Sequence, residues 1–220
     1  YSVDNLTFMG ITSPIRYLVA RHIGYGKRFM PYSLYEQKNY AQAVAEFQRV
    51  LEKMPTREAW NGLGNALESL ERYDEAIDAY SHALELEPDA PYLIRNRANV
   101  LLNLNRLQDA ERDIARAVEL DPDNFYTHAR QGELALRRGE FTAAVEHYEY
   151  AIARDEDVGW KFGLALAKYG AGDKAQAKTI LEDALSKASD DDKKSNREWF
   201  ERVGQVRPEL ADAARELGLT

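Results

Sequence analysis

The chain of 220 residues is 45% hydrophobic and 30% charged, which is enough apolar content for a continuous buried core. Its formal net charge of −8 disfavours non-specific nucleic-acid binding, because such binding depends on a basic surface. The absence of cysteine excludes disulfide bonds, a thiol nucleophile and a cysteine-ligated zinc site, and no apolar run approaches the roughly 20 residues of a membrane-spanning helix.

Residues 1–23 are predicted to form an N-terminal extension that contains one helix. Ser13 and Pro14 are typical of a helix start, with serine as the N-cap and proline at the first helical position. Apolar residues then recur at roughly helical spacing up to Ile23. We expect a capping helix that covers the first repeat. The alternative is a basic amphipathic helix that lies on a membrane surface.

The following part of the chain carries an internal repeat with a period of about 34 residues, a length typical of stacked structural units. Ala76, Ala110 and Ala144 are separated by the same interval, and other small and aromatic residues keep that spacing. A fixed period of this length indicates a solenoid, in which each unit buries its apolar face on its neighbours. The predicted units are a degenerate first repeat at 24–56, repeats at 57–90, 91–124, 125–157 and 158–191, and C-terminal capping helices at 192–220.

The degenerate first repeat is irregular in its first half, where it contains Pro31. A proline in a helix interior removes a hydrogen bond and clashes with the preceding turn. We therefore expect the first helix of this repeat to begin at Pro31 and to be short, or to kink there.

One repeat, from Trp60 to Pro88, shows the motif most completely. Its recurring residues are Trp60, Leu63, Gly64, Ala76, Tyr80, Ala83 and Pro88. This pattern resembles the tetratricopeptide repeat (TPR) family, whose unit is a helix–turn–helix of about 34 residues. The resemblance covers residues 24–191. It implies an all-α fold, a right-handed α-solenoid of helical hairpins with capping helices at both ends.

Two positions at a fixed separation within each repeat change character together from one repeat to the next. The pairs are Leu63 and Ala79, Arg97 and Asp113, Gln131 and His147, and Leu164 and Ile180. Positions that switch together in this way are expected to touch within each hairpin. Since buried polar groups need partners, we predict an ion pair between Arg97 and Asp113 and a hydrogen bond between Gln131 and His147.

The sequence contains no motif that indicates catalysis or a cofactor. None of the four histidines has a partner at a metal-ligand spacing such as HExxH, and there is no phosphate-binding loop, nucleophile elbow or dinucleotide fingerprint. His128 occupies the repeat position of Trp60, which favours a packed structural histidine. We expect a protein that is not an enzyme and that has no cofactor and no metal.

In the TPR family the first helix of each hairpin lines an inner groove, and the resemblance carries that role to matching positions of this chain. Asparagine supplies both donors and acceptors for a peptide backbone, arginine can bind a carboxylate in a two-pronged manner, and tyrosine offers an amphipathic wall. The predicted peptide-binding residues are Asn61, Asn65, Tyr92, Arg95, Asn96, Asn99, Tyr126, Arg130 and Arg137.

Part of this set is similar to the dicarboxylate clamp of TPR co-chaperones, which holds the C-terminal carboxylate of a partner. Asn65, Asn96 and Arg130 fall on three positions of that clamp. Asn61 and Tyr126 stand where the clamp has lysines, so the similarity is partial. The alternative is that these polar residues only solvate the helix surfaces.

Toward the fifth repeat the predicted groove becomes apolar. The residues concerned are Leu136, Phe162, Leu166 and Tyr169. This surface could seat an apolar segment of a partner. We favour the other interpretation, in which the C-terminal helices cover it and Trp199 and Phe200 pack inward, since large exposed apolar patches are unusual in soluble monomers.

These observations favour a non-catalytic protein–protein interaction scaffold that binds a peptide segment of a partner protein, with an acidic group or a C-terminal carboxylate as the preferred ligand. We expect no nucleic-acid partner, and a membrane partner is disfavoured. The alternatives are a self-assembling scaffold that forms homo-oligomers, for which segment 1–35 is the natural place, and a sensor or targeting region of a larger multidomain protein. The composition does not settle the compartment, although the cytoplasm is favoured.

Overall fold

Every regular element in residues 26–216, the part of the chain that the structure describes, is an α-helix. The structure is a computed structural model, and it divides the chain into two compact units, residues 1–88 and 89–220, which we describe separately. The first unit contains α1 (Gly26–Glu36), α2 (Tyr40–Leu51), α3 (Arg57–Ser69) and α4 (Tyr73–Leu86). The second contains α5 (Pro91–Asn103), α6 (Leu107–Leu120), α7 (Phe125–Arg138), α8 (Phe141–Ile152), α9 (Val158–Gly170), α10 (Lys174–Lys187), α11 (Asp190–Val206) and α12 (Pro208–Glu216).

The predicted all-α fold class is therefore confirmed, and consecutive helices form antiparallel hairpins of the TPR type. Across residues 26–216, no helix has the combination of length and apolar composition that crossing a bilayer requires. The capping helix predicted in segment 1–23, with its start at Ser13 and Pro14, lies outside the described residues.

Helix α1 does not begin at Pro31, so the first of the two alternatives is wrong, while the kink at Pro31 stays a prediction. Pro31 is buried in the interior of α1, more than a full turn after the helix starts at Gly26. The proline forgoes one hydrogen bond to the preceding turn, and helical packing around its buried ring outweighs that loss. The neighbouring Tyr32 packs its ring edge-on against Phe47 of α2, with ring centroids 4.9 Å apart.

Three of the helices that carry the candidate site, α7, α9 and α11, begin at side-chain caps. The side chain of Asn124 accepts hydrogen bonds from the backbone N–H groups of Tyr126 and Thr127 at the start of α7. Asp157 caps α9 in the same manner, and Ser189 starts α11 with a reciprocal capping box that involves Asp192. These side chains satisfy N–H groups that the first turn of a helix leaves without partners.

Small and large residues are matched in size within each hairpin. A Cβ atom added to Gly64 would lie 2.6 Å from the ring of Tyr80, and one added to Gly132 would lie 3.1 Å from the ring of Tyr148. Glycine thus permits a tyrosine ring to lie against the facing helix. Where the large residue is aliphatic, the small position holds alanine, and the buried pairs are Ala98 with Ile114 and Ala165 with Leu181.

The C-terminal helices α11 and α12 cover the apolar surface of α7 and α9. Phe200 of α11 packs edge-on against Phe162 of α9 with ring centroids 5.7 Å apart. Arg207 donates hydrogen bonds to the backbone carbonyl groups of Arg137 and Arg138 at the end of α7. The expected covering of this surface is confirmed. The buried cluster includes Leu136, Phe162, Leu166, Phe200, Val203 and Leu210, with Tyr169 and Trp199 partly buried against it.

Candidate functional site

The two positions that change together between repeats do touch in the hairpin of α5 and α6. Arg97 donates from Nε and Nη2 to the two carboxylate oxygens of Asp113, each at 2.8 Å. The predicted ion pair is confirmed. Its hydrogen bond is also the main reason why the pKa of Arg97 is raised above its ordinary value.

The predicted hydrogen bond between Gln131 and His147 is wrong. His147 instead faces His128, with the two Nδ1 atoms 3.2 Å apart, while Oε1 of Gln131 is buried without a hydrogen-bond partner. His128 occupies the repeat position that Trp60 holds in its own repeat. Its ring stacks on the ring of Tyr150, with the ring centroids 3.7 Å apart. This contact agrees with the packed structural histidine that we expected. Its ring thereby comes within reach of α8 and replaces Gln131 as the partner of His147.

In the first unit, the predicted site residues Asn61 and Asn65 lie half-buried on α3. Oδ1 of Asn65 accepts a hydrogen bond of 2.7 Å from the hydroxyl group of Tyr80, which also lies 3.0 Å from Oε2 of Glu68. The side chain of Asn65 is thus held in place by the same tyrosine that fills the gap at Gly64.

In the second unit, α5 and α7 present the predicted arginines. Burial lowers the pKa of Arg95, with a further lowering by the nearby charge of Arg130, while Asp121 and Tyr126 act in the opposite direction. The two guanidinium groups are therefore close enough to repel each other. Of the remaining predicted residues of this unit, Tyr92, Asn96 and Asn99 are half-buried and Tyr126 is exposed.

Glu133 is the centre of a buried cluster of charges next to these residues. Its carboxylate accepts hydrogen bonds from Arg130 at 3.0 Å, from Arg137 at 2.8 Å and from Nε1 of Trp199 at 2.9 Å. Burial alone would raise the pKa of Glu133, but the charges of Arg137 and Arg130 and the donated hydrogen bonds outweigh it and lower the pKa. Glu133 is therefore ionised at neutral pH.

Arg137 does not line an open groove, contrary to expectation. Its side chain is 0% exposed, and it binds Glu133 and the side-chain oxygen of Asn105. Helix α11 covers Arg137, since Trp199 of α11 donates a hydrogen bond to the carboxylate of Glu133 that Arg137 also binds. The C-terminal segment thus occupies the space in front of Arg137, where Trp199 binds Glu133 and Arg207 binds the backbone carbonyl group of Arg137.

A polar cavity of about 340 Å³ remains between α11 and the helices α5, α7 and α9. Among the predicted residues it brings together Asn99 and Arg130. Two tryptophans form part of its wall, and Arg202 of α11 contributes a guanidinium group whose Nε atom is buried without a hydrogen-bond partner. Other residues that line the cavity include Asn103, Glu133, Trp160, Asn196 and Trp199.

Glu133 falls on a groove-lining repeat position but was not among the predicted peptide-binding residues, and Trp160 and Arg202 were missed in the sequence. One signal was present for Glu133: Arg130, Glu133 and Arg137 are spaced by three and four residues, which places them on one face of a helix with alternating charge. No comparable signal existed for Trp160 and Arg202, since their part in the cavity depends on how α11 folds back.

Within residues 26–216, no three histidine or acidic side chains converge as a site with three protein metal ligands would require. The repeat architecture distinguishes the molecule. The fold and the polar face of α5 and α7 define a protein of the helical-repeat class.

The chain belongs to the tetratricopeptide repeat family. The family profile matches residues 32–91 and 95–158, which together make up more than half of the chain, and a second tetratricopeptide repeat profile matches residues 161–191. No curated protein sequence is similar enough to count as a relative.

Solved structures of TPR proteins show the same fold at low sequence identity. PilW, a widely conserved type IV pilus biogenesis factor, superposes with a TM-score of 0.67 at 20% identity, over 87% of this chain and 88% of PilW. MamA from Desulfovibrio magneticus RS-1 has a TM-score of 0.61 at 16% identity, over 74% and 96% of the two chains. YrrB, a TPR protein with an unusual peptide-binding site, has a TM-score of 0.53 at 18% identity, over 84% and 88%.

Proposed function

We propose that this protein is a non-catalytic interaction scaffold that binds an acidic peptide segment or a C-terminal carboxylate of a partner protein. The TPR family membership supports a protein-interaction scaffold in general. The observation that carries the finer proposal is the cavity beside α5, α7 and α11, where arginine, asparagine and tryptophan side chains converge. Its lining also includes three carboxylates, those of Glu133, Asp157 and Asp192, whereas Arg95 lies on α5 outside the lining.

Arg95 and Arg130 supply the positive charge that such a ligand needs. No ion pair to Arg95 is found within the described residues. Burial is the main reason why the pKa of Arg95 is lowered, and the charge of Asp121 raises this pKa by more than the charge of Arg130 lowers it. A ligand carboxylate between the two guanidinium groups would lessen their repulsion and would compete with Glu133, which already pairs with Arg130. Two-pronged hydrogen bonds from arginine to a carboxylate are short and roughly twice as strong as neutral ones.

Asparagine and tyrosine side chains on the same helices would bind the peptide backbone and its apolar side chains. In the second unit these residues are Tyr92, Asn96, Asn99 and Tyr126. In the first unit Asn61 and Asn65 present the same chemistry on α3, and Asn65 is oriented by Tyr80. Arg137 is left out of this proposal because it is buried and bound to Glu133.

Fluorescence anisotropy with labelled acidic hexapeptides tests the proposal. Each peptide is prepared with a free C-terminal carboxylate and as the C-terminal amide. The variant Arg95→Ala/Arg130→Ala is expected to weaken binding of the free-carboxylate peptide by at least about tenfold, given two lost charge-assisted contacts. Arg112→Ala, which removes an arginine whose side chain is 76% exposed on α6, is the matched control. Unchanged affinity in the double variant, with unchanged helicity by circular dichroism, would refute the proposal.

A further inference from the structure

The imidazole rings of His128 on α7 and His147 on α8 face each other at a place that the proposed peptide site does not use. Their Nδ1 atoms are 3.2 Å apart, and the ring centroids are 5.3 Å apart. The pair was not foreseen from the sequence, because the repeat pattern matches His147 with Gln131 rather than with His128.

The surroundings hold His128 in one orientation. Its ring stacks on Tyr150 at 3.7 Å between ring centroids. The backbone carbonyl group of Pro122 and the carboxylate of Asp123 are near enough to favour a proton on this ring. When Nε2 of His128 carries its proton, Nδ1 keeps a lone pair directed towards His147.

Both rings are neutral at physiological pH, which is the protonation state that binds a metal ion. Burial lowers the pKa of His128, and Arg154 adds to this, while Pro122 and Asp123 act in the opposite direction. Burial also lowers the pKa of His147, as does His128, against the charge of Glu146.

We propose that His128 and His147 together bind a divalent transition-metal ion that prefers imidazole ligands, such as Zn²⁺ or Ni²⁺. An ion placed about 2.0–2.1 Å from both Nδ1 atoms would make an N–metal–N angle of roughly 100–106° at their present separation, close to the tetrahedral angle. Because the stack on Tyr150 holds the ring of His128, the ring of His147 is the one that would turn to direct its lone pair to that point, with its proton on Nε2. Water molecules complete the coordination, since no third histidine or acidic ligand converges there in the described part of the chain.

The charges around the pair make the proposal specific. The guanidinium group of Arg154 lies 3.4 Å above the ring of Tyr150, on which His128 also stacks, and it opposes a bound cation. The carboxylates of Asp123 and Glu146 favour one. Arg154→Gln is therefore expected to strengthen metal binding, whereas Glu146→Gln is expected to weaken it slightly.

The test is isothermal titration of the full chain, freed of any affinity tag, with ZnCl₂ at about pH 7.5, where both imidazoles are neutral, and with MgCl₂ as the negative control. The background carries His22→Gln and His82→Gln, so that only the two paired histidines remain among the four of the sequence. We expect one Zn²⁺ ion per chain. His147→Gln should lower the affinity at least about tenfold, as expected for the loss of one of two protein ligands.

His147→Gln is the decisive variant, because its ring is half-exposed and the chain should fold without it, as circular dichroism can verify. His128→Gln also removes the stack on Tyr150 and serves only as a second case. Proton–nitrogen NMR of the imidazole groups should show zinc-dependent shifts for both rings. The absence of saturable zinc binding, or equal affinity in His147→Gln, would overturn the proposal, and neither result bears on peptide binding.

Discussion

Arg97 and Asp113 hold the hairpin of α5 and α6 together through two parallel hydrogen bonds of 2.8 Å. In the preceding repeat the equivalent residues, Leu63 and Ala79, are both buried and apolar. The ion pair thus replaces an apolar contact at the same place in the hairpin. Asp113 is largely buried, so each partner depends on the other for charge compensation.

Removing one partner should cost more stability than removing both. We expect Asp113→Ala to lower the free energy of unfolding by about 1–2 kcal/mol, because a half-buried guanidinium group loses its hydrogen-bonded anion. Arg97→Leu/Asp113→Ala, which copies Leu63 and Ala79, should regain most of this loss, since apolar replacements of such pairs are often neutral. Urea unfolding followed by circular dichroism measures both. A double variant less stable than Asp113→Ala would contradict the prediction.

Because Gly64 and Tyr80 match in size, replacing Gly64 with alanine is expected to lower the stability of the folded chain, although alanine is normally the better helix former. Gly64→Ala places a Cβ atom 2.6 Å from the ring of Tyr80. Overpacking of this kind costs about 1–3 kcal/mol, which exceeds the gain of about 1 kcal/mol from better helix propensity. Adding Tyr80→Ile copies the Ala98 and Ile114 pair and should restore part of the stability in thermal unfolding. Equal stability of Gly64→Ala and the unmodified chain would argue against a tight contact.

Neutralising Glu133 should destabilise the second unit strongly. Glu133→Gln leaves Arg137, which is 1% exposed, without a negative partner, and it weakens the bonds from Arg130 and Trp199. Loss of one member of a buried charge pair costs about 3 kcal/mol or more. Chemical denaturation provides the measurement. The control is Glu111→Gln, which affects an exposed ion pair with Arg138 and should change little. A small effect of Glu133→Gln would mean that Arg137 finds another partner.

The facing histidines are expected to make the folded chain less stable at acidic pH, and this loss should begin at a higher pH than the range in which carboxylates titrate. The pKa values of His128 and His147 are lowered in the folded chain, whereas the unfolded chain takes up these protons near pH 6.5. Their contribution to stability is therefore complete above about pH 6.5 and declines as the pH falls below it. In EDTA, His128→Gln/His147→Gln should show a flatter stability profile between about pH 7 and pH 5 than the unmodified chain. His82→Gln is the matched control, and identical profiles for all three proteins would refute the prediction.

The repeat pattern predicted the fold because local packing dictates it. Glycine and alanine at Gly64, Ala98 and Gly132 are needed wherever two helices of a hairpin approach closely, so their spacing exposes the architecture directly. The pairing of Arg97 with Asp113 was also predictable, since both ends of one contact change together. Pro31 shows the limit of such reasoning, because burial in a packed helix overrides a local preference against proline.

The candidate site was only partly predictable, because it depends on contacts between distant segments. Arg130 and Arg137 both bind Glu133 and so share one face of α7. The repeat positions gave no information about α11, whose Trp199 reaches Glu133 and covers Arg137. The pairing of His128 with His147 was missed for a related reason. The repeat pattern matches His147 with Gln131, but the side chain of His128, at a different repeat position, reaches His147 instead.

The matched residues of a hairpin also define where such a chain can be cut and rejoined. Gly64 with Tyr80 and Arg97 with Asp113 are complementary across the turn, and both members of each pair lie within one hairpin. A recombination breakpoint between hairpins keeps each pair intact. A breakpoint inside a hairpin joins mismatched halves and would place, for instance, Ala98 opposite a tyrosine ring. The whole hairpin is therefore the smallest segment that can be exchanged between repeats without loss of fit.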